Sequence, residues 1–118
     1  MADENELKYK LALEFINHIL INCGRTPIIN ICDFKNIPRE DILREENLRR
    51  LNEMEPKLYK YFDKVKCGYY RKTHNYVITF LRNMVKELGH DAKSKRKDIM
   101  VDIDGKKYKK AIMVYYIQ

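Results

Sequence analysis

Tryptophan is absent from this sequence, and cysteine, proline and glycine are scarce, with three, three and four residues. Cys23, Cys32 and Cys67 are too few and too scattered for the disulfide framework of a small secreted domain, and no two have C-x-x-C spacing. They read as reduced, mostly buried thiols. The glycines stand singly, so no glycine-rich loop can cradle a phosphate. His18, His74 and His90 have no ligand spacing with one another or with cysteine, which argues against a metal site. Cys67 with His74 is the one nucleophilic pairing that spacing allows. Neither a cofactor nor an enzymatic activity is expected. No run approaches the ~20 apolar residues of a membrane span. The opening, Met1 to Glu6, is acidic, the opposite of a secretory signal. The reading is a soluble protein kept inside a cell, in nucleus or cytoplasm, with no membrane and no small-molecule substrate as partner.

What is abundant is charge, and it is unevenly placed. Residues 1–59 carry 9 Lys+Arg and 11 Asp+Glu, a net of −2, whereas residues 60–118 carry 15 and 6, a net of +9. A basic half of this kind suggests a side that faces a polyanion. The competing reading is a well-solvated surface. With 118 residues, 45% of them hydrophobic, the chain has the size and apolar content of one globular domain over 1–118. Lys, Ile, Asn and Tyr, whose codons are AT-rich, are abundant.

Apolar residues at helical spacing predict a helix over 6–22, with Leu7, Leu11, Phe15, Ile16, Ile19 and Leu20 inward and Cys23-Gly24 closing it. The β-branched run Ile28 to Cys32 suits a short strand. Pro38 in a first turn starts a helix to about Met54, with a break near Glu46-Asn47, and Pro56 starts another over 56–66. The clearest helix covers 73–88, with Tyr76, Val77, Phe80, Leu81, Met84, Val85 and Leu88 on one face and Gly89 as its stop. The period then changes. Ile99 to Ile103 and Lys106 to Ile117 read as two strands joined at Asp104-Gly105, a two-residue turn that would set Asp102 opposite Lys107. The stretch Ala111 to Ile117 is apolar on both faces and calls for cover by helices or by another chain. The fold class is α+β and mainly helical. Its order (helix, short strand, helices, recognition helix, C-terminal hairpin) is that of a winged helix, with 67–72 as the turn between the last two helices.

On the polar side of the 73–88 helix, Lys72, Asn75, Thr79, Arg82 and Lys86 form one stripe without an acid, and Arg71 precedes it. Arg and Lys reach phosphates or guanine, Asn can hold adenine by two bonds, and Thr can meet a phosphate or a thymine methyl. Base reading favours the N-terminal part of such a helix, hence Asn75, Thr79 and Arg82. Two further clusters flank the hairpin: Lys93, Lys95, Arg96 and Lys97 just before it, and Lys106, Lys107, Lys109 and Lys110 after the turn. They would grip phosphates and confer affinity and salt dependence rather than specificity. An ordinary solvated face and lysine protection of a β-edge are the bland alternatives. Lys93–Lys97 also reads as a short basic nuclear-import signal. Tyr69, Tyr70 and Tyr108 lie among basic residues and could stack on bases, whereas Tyr61, Tyr76, Tyr115 and Tyr116 read as core. His18 reads as a satisfied structural histidine, while His74 could touch a phosphate.

Residues 58–62 (Leu-Tyr-Lys-Tyr-Phe), 80–89 (Phe-Leu-Arg-Asn-Met-Val-Lys-Glu-Leu-Gly), 93–97 (Lys-Ser-Lys-Arg-Lys) and the tyrosine-rich last strand together resemble the KilA-N-associated DNA-binding domains of large double-stranded DNA viruses, including poxviruses and iridoviruses. The resemblance spans 37–117. It implies viral origin, a host-cell location, DNA binding by a winged-helix-like unit and a role in transcription regulation. Double-stranded DNA is thus the first expected partner. A protein-interaction module or homodimer built on the apolar last strand, and RNA or single-strand binding, are the alternatives.

Overall fold

The computed structural model describes residues 3–62 and 75–118. Helix α1 (Glu4–Asn22) leads through a 3-10 turn (Ile31–Asp33) to a two-residue strand β1 (Ile37–Pro38), the short helix α2 (Arg39–Ile42), helix α3 (Glu45–Tyr61), helix α4 (Asn75–Glu87) and strands β2 (Ala92–Ile103) and β3 (Lys106–Ile117). The described fold is therefore α+β, with helices around an antiparallel sheet of order β1-β3-β2.

Helix α1 begins where the Asp3 carboxylate accepts the Glu6 N–H at 2.8 Å, a cap that satisfies one of the free donors of the first turn. It buries Ala12, Phe15, Ile16, Ile19 and Leu20. Leu7, expected in the core, is 40% exposed. Helix α4 ends as the sequence proposes. Gly89 takes φ +85°, and the N–H groups of Gly89 and His90 return to the carbonyls of Lys86 and Val85.

Four expectations are corrected. The run Ile28 to Cys32 is not a strand. Side chains of α1 satisfy its backbone instead: Asn17 both accepts from and donates to Ile28, at 2.8 and 3.0 Å. The Tyr9 hydroxyl accepts from Ile31 at 3.0 Å and donates to Ile29 at 3.2 Å. Asn30 then caps the 3-10 turn through the Cys32 N–H. With its donors and acceptors occupied by side chains, the segment has few left for a sheet ladder.

The second correction is the helix break, which lies at Leu43-Arg44 rather than Glu46-Asn47. Asn47, fully buried, sets the joint by donating to the carbonyls of Asp41 and Ile42 at 2.9 and 3.1 Å while accepting from Asn22 at 2.9 Å. Asn22 also lies 2.9 Å from His18, which is thereby bonded. Across the same joint the Asp41 carboxylate hydrogen-bonds the Arg44 guanidinium and raises its pKa.

Third, Pro56 does not restart a helix, for α3 runs through it. Its ring faces solvent, and Leu51, Met54 and Leu58 form one buried stripe on the other side. That continuous burial outweighs the donor lost at the proline. Fourth, residues 93–97 do not precede the hairpin but lie within β2, which pairs with β3 without interruption from Ala92↔Ile117 to Ile103↔Lys106.

The core joins α1, α3 and α4 to the base of the sheet through Ala92, Tyr115 and Ile117. Between α3 and α4 the fully buried Tyr76 donates to the nearly buried Glu55 at 2.9 Å and meets the Tyr59 hydroxyl at 2.8 Å. Burial first, then these hydrogen bonds, raises the Tyr76 pKa far above that of a free tyrosine. Tyr116 and Tyr61, read as core residues, are only half-buried. Strand β1 covers only Val114 and Tyr115 of β3. From Arg96 and Met113 outward to the turn, no residue of the hairpin is buried. This part is an arm of roughly 25 Å at ~3.4 Å per residue, in a molecule whose longest extent is 57 Å.

Candidate nucleic-acid interface

The sheet register decides where each basic side chain of the hairpin goes, because alternate residues point to opposite faces. Ala92, Tyr115 and Ile117 face the core, so residues of their parity form the inner face. Along the arm the inner face carries Arg96, Asp98, Met100 and Asp102 on β2, and Lys107, Lys109, Ala111 and Met113 on β3. The outer face carries Lys93 and Lys95 at the root of the hairpin, beside the buried Val114, and Lys97 on β2 with Lys106 and Lys110 on β3 along the arm.

Both carboxylates of the paired strands, Asp98 and Asp102, lie on the inner face. Arg96 bonds Asp98 at 3.3 Å, and Asp102 stands opposite Lys107. The five outer lysines have no carboxylate among them within the sheet. The nearest described acid is Glu40 of α2, 3.9 Å from Lys110. All five are exposed. Lysines two apart on β2 are spaced by roughly 6.8 Å, and the Lys95 ammonium lies 5.4 Å from the centre of the Tyr116 ring on the same face. Tyr108 is exposed on this face too, between Lys106 and Lys110.

On α4 the proposed stripe faces outward. Asn75, Arg82 and Lys86 are exposed and Thr79 is half-buried, opposite the buried Tyr76, Val77, Phe80, Leu81, Met84 and Val85. Asn75 accepts from Arg39 at 3.2 Å, and the neighbour of Arg39 is the same Glu40 that meets Lys110. Helix α2 thus contacts both the start of α4 and the arm. Arg71 and Lys72, with Tyr69, Tyr70, Cys67 and His74, lie outside the described residues.

The structure divides the predicted set. Lys93, Lys95 and Lys97 follow one another on the outer face, and Lys106 shares that face six residues farther along the ladder. Arg96, Lys107 and Lys109 go to the inner face, beside acids. Lys110, the end of the expected Lys106–Lys110 cluster, joins the outer set by its parity with Lys106. One residue was missed. Arg39 had no signal, because only the β1–β3 pairing brings it to α4.

Among the described residues no group of three or more His, Cys, Asp or Glu side chains is placed to hold a metal, and no helix is long and apolar enough to cross a membrane. No family model, curated protein or solved structure matches the chain.

Proposed function

We propose that this protein is a non-enzymatic DNA-binding domain that lays the outer face of its hairpin arm along the phosphate backbone and turns the start of α4 to the major groove. One observation carries the reading: five exposed lysines share a sheet face from which the strand carboxylates are excluded. Such a face can displace counterions from a polyanion, and of its five lysines Lys110 alone has a described carboxylate within 4 Å, that of Glu40. Asn75, Thr79 and Arg82 are the residues that would meet base edges, and Lys86 a phosphate. The strand order β1-β3-β2, with the first strand beside the last and the hairpin following α4, supports a winged-helix arrangement.

Tyr108 and Tyr116 on the lysine face favour a second reading, single-strand or RNA binding with the rings as stacking platforms. Fluorescence anisotropy with duplex DNA, single-stranded DNA and RNA of equal length at ~150 mM salt ranks the three. The decisive comparison is between K93Q/K95Q/K97Q and R96Q/K107Q/K109Q. The first variant flattens the salt dependence of duplex binding by roughly 2.7 in log–log slope if each lysine neutralises one phosphate, and the second has the smaller effect. Equal effects of the two variants, or a wild-type chain that ignores all three polymers in dilute buffer, would sink the proposal.

A further inference from the structure

Strand β1 covers little of the edge it occupies. It meets β3 only at Tyr115 and Val114, and the chain then turns away into α2. The main-chain groups of a strand alternate between its two sides. Gln118 exchanges two bonds with Asp91 on the side of β2, whereas Ile117 donates to Phe34 on the side of β1. By that alternation Lys107, Lys109, Ala111 and Met113 turn their N–H and C=O groups away from β2. All four residues are exposed, and no described residue on that side bonds their main chain. Along the same edge lies a groove of about 350 Å³, walled by α2 from Arg39 to Asp41 and by β3 from Lys110 to Met113.

We infer that the open edge of β3 takes up an extended acidic segment of a partner protein as a further antiparallel strand, in line with β1. This site is independent of nucleic-acid binding. A strand edge offers donors and acceptors in turn, and another main chain answers both, whereas phosphates only accept. Charge sets the sign of the partner. Lys106 to Met113 holds four lysines and no carboxylate. The acids on the rim of the groove, Glu40 and Asp41, are already paired with Lys110 and Arg44. The opposite edge strand, β2, carries Asp98 and Asp102 and suits an acidic strand less well. A second copy of this chain is repelled, because β3 beside β3 sets lysine against lysine. Running antiparallel, the segment is apolar where it begins, opposite Met113 to Ala111, and acidic where it passes Lys110 to Lys106.

The probe is a peptide of eight residues, the length of Lys106–Met113, with the sequence Val-Ile-Val-Glu-Glu-Val-Glu-Glu. Fluorescence anisotropy at ~150 mM salt reads its affinity, and amide hydrogen exchange followed by NMR reads its place. Saturating peptide slows exchange at Lys107, Lys109, Ala111 and Met113 and leaves Ser94, Arg96 and Met100 of β2 as they were. A control peptide, N-methylated at the residues facing those four, keeps its charge and loses its edge donors. It binds at least about tenfold more weakly. Ala111→Pro removes a donor that β2 does not use and weakens the unmodified peptide about fivefold. Equal affinity of the two peptides for the wild-type chain means that charge alone attracts the probe, and overturns the strand site whatever the fate of the proline variant. Protection on β2 instead of β3, or no binding of the unmodified peptide up to about 1 mM, overturns it as well. So does a single-stranded oligonucleotide of equal charge that protects the same four amides.

Discussion

The side chain of Asn47 donates to the main-chain carbonyl of Ile42 at 3.1 Å, from inside the helix that follows. The same amide bonds Asp41 and Asn22, so one buried residue closes α2 and ties the joint to α1. Asn47→Ala leaves these partners without their bonds in a dry site. The expected loss is roughly 1–3 kcal/mol of folding stability. Urea unfolding with an unchanged m-value checks it, and an unaltered midpoint would contradict the role given to Asn47.

Tyr76 gives a pH signature. Its pKa is raised by burial and by its bonds to Tyr59 and Glu55, so the folded state holds the proton after the unfolded state has released it. The stability involved is fully present below the ordinary tyrosine value of ~10 and declines as pH rises above it. The slope approaches about 1.4 kcal/mol per pH unit for this group. Tyr76→Phe removes that part of the slope. The comparison is the difference in slope between wild type and variant in urea melts across this alkaline range. Equal slopes would refute the protonation linkage. At neutral pH the variant is less stable, because Glu55 loses a donor.

The arm should open separately from the core. Asp104 and Gly105 both have left-handed φ, +53° and +80°, in the two-residue turn. Gly105→Ala strains that turn by about 1–2 kcal/mol. No buried residue lies between Arg96 and Met113, so the cost falls on the arm alone. Amide exchange quickens at Met100 to Tyr108, while protection in α1 and α4 stays as in wild type.

On α4, Arg82 and Lys86 separate specificity from affinity. Arg82→Ala costs roughly 1–3 kcal/mol on a preferred duplex if the guanidinium holds a guanine, and little on a scrambled one. Lys86→Ala weakens both duplexes alike. Competition between preferred and scrambled duplexes distinguishes the two. Identical losses on both duplexes for Arg82→Ala would reduce it to a phosphate contact.

Some of this was legible along the chain. Helix α4, its stop at Gly89 and the Asp104-Gly105 turn were readable because each rests on interactions within a few residues: a 3.6-residue apolar period, a glycine at positive φ, a turn matched to strand twist. That turn also set the register, which is why Asp102 meets Lys107 as expected. The segment 28–32 was misread because its backbone partners, Tyr9 and Asn17, are 11 to 22 residues away. The continuity of α3 through Pro56 was missed because local propensity speaks against it and tertiary burial overrides it.

By itself, the sequence determined that a basic half ends in a lysine-rich hairpin with a defined turn, since charge and turn chemistry are properties of neighbouring residues. Only the tertiary structure decided which lysines act together. The core chose one face of the sheet by burying Ala92, Tyr115 and Ile117, and strand alternation then sent Lys93, Lys95, Lys97, Lys106 and Lys110 to the other. Charge order along a chain does not contain that choice. It arises when apolar burial selects the side that faces inward.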